Sequence, residues 1–306
     1  MLALPGKKKR TLAGYYFAAS TDEAIAYLMT HHGDSQVVGG GTLLMEQVQT
    51  GEAYASRLVD VSGVSAMRRL GLSEGVLAIG GAVTFESIAA STDVQDHVPI
   101  LAQAAADMGN PRVRHLATLA GNLVSGHGNS QCAVALVALE AEVEITNSTG
   151  AQWLRAESLF VSPGISRVDS TSELVTGVHV RTFGGPVGGS LVSMARRNGD
   201  WQSSYVLALV LGADDMRRQI EWASVVVGSE HVVPTRLLDV DEALSSWSLG
   251  EDLSQAGRFA DLVLEESLQS GAIRDLAEED REALLAMARS VWRQAIDQMS
   301  IGEQEP

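Results

Sequence analysis

The sequence holds a single cysteine, Cys132, in 306 residues. A chain with one thiol cannot close a disulfide within itself, and it falls short of the four ligands, mostly thiolates, that hold a 2Fe–2S cluster. Positive charge is also scarce: 22 Lys and Arg stand against 38 Asp and Glu, for a formal charge of −16. Such a chain repels phosphate backbones, so Lys7-Lys8-Lys9-Arg10 reads as a solvated arm and nucleic acid is not an expected partner. No stretch is long and apolar enough to span a bilayer, and the basic run leads into no apolar segment with a small-residue cleavage site, so a cytoplasmic location is expected. The common nucleotide fingerprints are missing too. There is no G-x-G-x-x-G after the first strand and no G-x-x-x-x-G-K-S/T anywhere, which argues against a Rossmann domain or a P-loop.

What is present is the composition of a globular protein, 45% hydrophobic and 20% charged, long enough for two domains. Ser20 and Glu23 form a capping box ahead of a helix whose face carries Ile25, Leu28 and Met29, with Gly33 placed to end it. Gln36-Val37-Val38 reads as a short buried strand, and Leu43, Leu44 and Val48 resume helical spacing. Strands are expected at 57–61, 76–83, 142–146 and 173–180, and helices around 85–90, 100–107 and 133–139. The glycine-rich stretch 184–189 reads as a domain linker, with β-rich runs at 190–197 and 220–227 and a helical C-terminal third beyond it. Asn147-Ser148-Thr149 reads as a turn between strands.

Two glycine turns carry the chemistry. Val37-Val38-Gly39-Gly40-Gly41-Thr42 and Ala117-Thr118-Leu119-Ala120-Gly121-Asn122 each punctuate apolar segments, and each is expected to leave backbone N–H groups bare. Glycine lacks a Cβ, so the backbone can take positive φ and approach an anion closely, while a neighbouring Thr hydroxyl adds a donor.

The stretch from Asn110 to Leu123, NPRVRHLATLAGNL, closely resembles the second FAD-binding motif of the molybdenum hydroxylase flavoprotein subunits, as in carbon monoxide dehydrogenase and the xanthine dehydrogenases. The first turn is similar to that family's Ala-Gly-Gly-Thr loop, and Leu58 to Val61, Leu77 to Thr84, Ala195 to Trp201, Val225 to Gly228 and Pro234 to Arg236 follow the family order. The resemblance implies an α+β fold: a two-lobed PCMH-type FAD-binding domain over 1–183, with lobes of about 1–62 and 63–183, then a smaller C-terminal domain over 184–306 of antiparallel strands and helices. It implies FAD held at Gly39, Gly40, Gly41, Thr42, Thr118, Ala120, Gly121 and Asn122, mostly by backbone N–H groups. It also implies electron transfer, with iron–sulfur and molybdopterin-binding subunits as partners and a small molecule or protein as final acceptor.

Three positions depart from the family pattern. Ala120 stands where a glycine is usual, which is harmless at negative φ and costly otherwise. Gln131 replaces an aspartate that would contact the cofactor, and Leu191 replaces an aromatic residue that some members place against the isoalloxazine ring. A self-sufficient flavoenzyme acting on a small organic substrate, or a protein that kept the fold and lost FAD, therefore stay open as alternatives. His127 is read as a loop residue at the flavin's edge, because neither a metal set nor a nucleophilic pair with Cys132 finds the further groups it needs. Arg112 and Arg114, alternating about Val113, are expected to point to one side, toward an anion, a partner or solvent.

Overall fold

The computed structural model describes residues 12–50, 55–183, 187–194, 204–214, 219–249, 253–273 and 278–301. The arm at 7–10 and the motif at 195–201 lie outside the described residues. Three sheets follow one another along the chain, each with its own helices. The first is wholly parallel, with β1 (Gly14–Phe17) and β2 (Ser35–Val38) flanking a central β3 (Arg57–Asp60). Helix α1 (Thr21–Thr30) links β1 to β2, and α2 (Leu44–Thr50) precedes β3. The Ser20 hydroxyl accepts from the Glu23 N–H at 3.1 Å, while the Glu23 carboxylate reaches back to the Ala19 N–H at 2.7 Å, one residue further out than in a reciprocal capping box. Ala24, Ile25 and Leu28 pack that helix onto Val59, Val61 and Met67.

The second sheet runs in the order β4 (Leu70–Ser73), β5 (Val76–Gly80), β10 (Leu174–Arg181), β6 (Glu142–Asn147), β7 (Gly150–Arg155), antiparallel throughout. Between β5 and β6 the chain makes six helices: α3 (Phe85–Ala90), α4 (Thr92–His97), α5 (Pro99–Ala106), α6 (Pro111–Leu116), α7 (Leu119–Ser125) and α8 (Gln131–Ala138). All eight residues of α8 are buried, as a helix at the centre of a core must be. A small hairpin, β8 (Phe160–Ser162) and β9 (Ile165–Ser166), follows β7. Asn147 closes the β6–β7 turn by accepting from the Thr149 N–H at 2.9 Å, an Asx turn.

The third sheet, β11 (Val187–Met194), β12 (Tyr205–Ala213), β13 (Ile220–Ser229) and β14 (Val232–Arg236), is an antiparallel meander. One face is covered by α9 (Leu238–Leu244), α10 (Leu253–Gln269) and α11 (Glu278–Ile301). The other face sends Leu191, Val206, Ala208, Val210 and Val226 into the same core as α5 and α8 of the second unit. All nine residues of β12 are buried, so it reads as one apolar run without alternation.

Two sequence expectations are corrected. Arg112 and Arg114 do not alternate along a strand; they sit in the helix α6, started by the Asn110 side chain accepting from the Val113 N–H at 3.1 Å and by Pro111 in the first turn. Two residues apart on a helix, they point to different sides: Arg114 pairs with Glu86 at 3.4 Å, and Arg112 is exposed. In the expected linker, Val187, Gly188 and Gly189 belong to β11, while 184–186 lie outside the described residues. Gly188 is required by packing, since a Cβ there would come within 2.1 Å of the Ala295 carbonyl oxygen of α11.

Candidate functional site

A cleft of about 830 Å³ lies between the first and second sheets, walled by the loop after β2, by α2 and by the segment from α6 through the start of α8. Nine of the ten residues expected at a cofactor line it: Gly39, Gly40, Gly41, Thr42, Thr118, Ala120, Gly121, Asn122 and Gln131. The tenth, Leu191, is not brought there. Its side chain is 1% exposed within the shared core, and its carbonyl accepts from Gln103 Nε2 at 3.1 Å.

The two glycine turns, some eighty positions apart, press directly on each other. A Cβ on Gly40 would sit 1.7 Å from the Leu116 carbonyl oxygen, and one on Gly39 would sit 2.7 Å from Thr118 Oγ1. Gly41 follows at φ +68°, the left-handed region that glycine adopts without strain. The N–H groups of Gly39, Gly40, Gly41 and Thr42 meet no acceptor among the described residues. Four successive amide dipoles without partners, at the wall of a cleft, make a concave donor site for an anion.

The second turn differs from its expectation, because its amides are already used. Leu119 N–H donates to Val83 O at 3.0 Å, Ala120 N–H to Gly81 O at 3.0 Å, Gly121 N–H to Thr118 Oγ1 at 3.2 Å and Asn122 N–H to Thr118 O at 3.0 Å. Thr118 caps α7, so the motif presents hydroxyl and side-chain amide groups to the cleft rather than a row of bare N–H groups. Ser130 links this wall together by donating to Asn122 Oδ1 at 2.7 Å and capping α8. Ala120 is absent from the residues with positive φ, so its methyl is tolerated, and it lies against Gly81.

Gln131 reaches across to the third sheet, where its Nε2 donates to Ser193 Oγ at 3.0 Å. His127 lines the cleft with Nδ1 at 2.9 Å from Ser125 Oγ, and burial holds its pKa below the usual histidine value. Cys132 is wholly buried in α8, and the loss of water pushes its thiol pKa up, as an inert core thiol requires. No lysine or arginine lines the cleft among the described residues, which leaves backbone and side-chain dipoles as the groups they offer an anion. Sequence reasoning put Asn110 at the head of the second motif without a role in the cleft and missed Ser170 and Glu173; all three join the lining. The Asn110-Pro111 cap signal could have placed the first; nothing local marks the other two.

Fold and cleft together define a two-lobed dinucleotide-binding protein backed by an antiparallel sheet with helices. A family described as the FAD binding domain in molybdopterin dehydrogenase matches residues 9–182, and the chain belongs to it. FAD is its cofactor, and the unpartnered amides of the first turn, beside Thr118 and Asn122, fit the pyrophosphate of such a dinucleotide. Among curated proteins, the chain is 28% identical to the nicotine 6-hydroxylase medium subunit of Paenarthrobacter nicotinovorans over 246 residues, 80% of this chain and 84% of that one. It is 26% identical to the carbon monoxide dehydrogenase medium chain of Hydrogenophaga pseudoflava over 191 residues, 62% of this chain and 66% of that one. Among solved structures, a chain of a Cu,Mo-CO dehydrogenase superposes with TM-score 0.81 at 19% identity, covering 93% of this chain and 98% of that one. A chain of quinoline 2-oxidoreductase from Pseudomonas putida 86 gives TM-score 0.80 at 22% identity, covering 95% and 98%. At these identities the superpositions speak for the fold. No described helix is long and apolar enough to cross a membrane.

Proposed function

We propose that this chain is the electron-transferring flavin subunit of a multi-subunit molybdenum hydroxylase-type dehydrogenase. Electrons arrive from iron–sulfur clusters in partner chains, themselves fed by a molybdopterin-binding subunit, and leave through FAD to an external small-molecule or protein acceptor. The observation that carries the reading is the row of four unpartnered amides at Gly39–Thr42 on the wall of the cleft, where this turn packs against the second motif. Two further facts support it. The only thiol is buried in α8, short of the thiolates an iron–sulfur cluster takes, which fits a chain whose own carrier is a flavin. The relatives named above are medium subunits or medium chains.

Bound FAD supplies the redox chemistry, accepting and releasing electrons. The chain's own residues bind and orient. Gly39, Gly40, Gly41 and Thr42 hold the pyrophosphate through N–H groups, and Thr118 and Asn122 add side-chain donors. Ala120 and Gly121 keep the approach close, and Gln131 reaches the cofactor from the start of α8. The flavin-binding domain is taken as residues 1–183 and the C-terminal domain as 184–306. The test compares the purified chain alone with the chain supplied with iron–sulfur and molybdenum subunits. The isolated chain is expected to carry flavin but turn over no organic substrate, and to gain activity in the complex. Oxidation of an organic substrate by the chain alone at about 1 per second or faster, the range of complete enzymes, overturns the reading.

A further inference from the structure

Four side-chain atoms among the described residues are buried without a hydrogen-bond partner: Gln36 Oε1, Ser224 Oγ, Gln255 Oε1 and Ser267 Oγ. Of these residues only Gln36 lines the cleft. It stands on β2, opposite Leu58 of β3 and three residues before the unpartnered amides begin. A buried acceptor without a donor costs a folded protein on the order of 1–3 kcal/mol, so such a group calls for a partner beyond the described residues, from water or a ligand. The strand around it is otherwise satisfied: Ser35 donates its hydroxyl to His31 O at 3.1 Å, and the Val37 N–H reaches Ser170 O at 3.0 Å. The Gln36 side-chain oxygen is thus an unused acceptor on a residue of the cleft wall, close in sequence to a loop with four unpartnered N–H donors.

We propose that Gln36 is a specificity residue of the flavin site, its side-chain oxygen accepting a hydrogen bond from an N–H or O–H donor of the bound dinucleotide. The donor is the adenine amino group or a sugar hydroxyl of either half. The proposal rests on the cleft being the FAD site and extends it to a side chain outside both glycine motifs. It completes the polarity of the cradle: amides of the loop meet the anionic pyrophosphate, and Gln36 meets a donor group that those amides cannot serve.

The test uses the full-length apoprotein of the wild type and of Gln36→Met, which keeps the length of the side chain and removes its acceptor. FAD, FMN and ADP are each titrated while melting temperature is followed without ligand. The expected result is FAD binding weakened about ten-fold, since the ligand donor would be left unpaired, together with an apoprotein that melts no lower than wild type because an orphaned buried acceptor is gone. The two readings move in opposite senses, which a purely structural role cannot produce. A weakening shared with ADP places the donor in the adenosine half, and one shared with FMN places it in the flavin half. Unchanged FAD affinity overturns the assignment and leaves water as the partner of Gln36, and so does a lower apoprotein melting temperature, which makes the residue structural. Gln36→Leu supplies the same readings if the methionine variant does not fold. A wild-type chain that takes up no FAD overturns the site itself, an outcome distinct from a silent variant in a wild-type background that binds.

Discussion

At Gly41 the φ of +68° and a Met45 Cγ only 3.2 Å from where a Cβ would stand set two separate obstacles to substitution. Gly41→Val carries strain of about 1–3 kcal/mol from the left-handed backbone, and its branched side chain crowds Met45 and Val38 beside the proposed pyrophosphate site. The expected outcome is a folded, colourless protein, checked by the visible spectrum beside circular dichroism. Gly40→Ala is predicted to behave differently, because its methyl would collide with the Leu116 carbonyl and force the two turns apart. Both flavin content and melting temperature should fall there, and a variant that keeps either one would mean the turns can separate freely. Gln131→Asp is expected to tighten FAD by about 1 kcal/mol, since a carboxylate gives a charge-assisted bond where the amide gives a neutral one. Asp is one methylene shorter than Gln, so the variant gives up the bond to Ser193 Oγ, and the stability of the apoprotein is followed beside the titration. Titration showing unchanged or weaker affinity would assign Gln131 to Ser193 alone.

Helix α7 depends on one side chain for its first turn, with Thr118 Oγ1 accepting the Gly121 N–H. Thr118→Val keeps the shape and removes that acceptor, with an expected loss of about 1 kcal/mol of stability in denaturant unfolding and weaker FAD binding. Thr118→Ser should restore both, and failure of serine to do so would point to the methyl group instead. The same hydroxyl explains what the sequence hid at this motif. A Thr-x-x-Gly spacing that looks like an open anion loop is also an N-cap: the cap takes the Gly121 N–H, while the distant carbonyls of Val83 and Gly81 take those of Leu119 and Ala120. The first turn was legible because three glycines in succession leave no side chain to play that part. The alternation of Arg112 and Arg114 misled because three residues are too short a window to tell period 2 from period 3.6, although Asn110-Pro111 before them marks a helix start. Gly188 looked like linker because the reason for it, the close approach of α11, comes from more than a hundred residues downstream, and Gly189 faces Ile100 of α5, far upstream. The capping of α1 and the run of α8 were readable locally, and the crossing of Leu191 into the core was not.

On the scale of the molecule, the third sheet is fastened to the second unit by ions as well as by core. Arg236 of β14 pairs with Glu140 at the end of α8 and with Asp241 of α9 at 2.6 Å, while Arg155 of β7 reaches Glu140 at 3.2 Å. Desolvation alone would raise the Glu140 carboxyl, but hydrogen bonds and charge from Arg236 and Arg155 outweigh it and hold the group below its ordinary pKa. A depressed carboxylate stabilises the fold above its unfolded pKa, about 4.3, and loses that contribution as pH falls through the folded value. Glu140→Gln should therefore melt below wild type at pH 7, with the gap closing as pH falls below the ordinary carboxylate value of about 4.3. A gap that stays constant with pH would mean the side chain acts by packing. The shared core has a consequence for synthesis. Leu191, Val206, Ala208, Val210 and Val226 complete the apolar shell around α5 and α8, and Gly128 of the cleft loop rests against the carbonyls of Ser229 and Val232. A nascent chain that has emerged only as far as β10 has its glycine turns in hand but no backing for α8, from whose first turn Ser130 and Gln131 face the cleft. Flavin capture is then expected to be a late event, waiting until β13 and β14 have cleared the ribosome, and a transcript truncated in the third sheet is expected to yield no flavoprotein even though every residue of both glycine motifs has been translated.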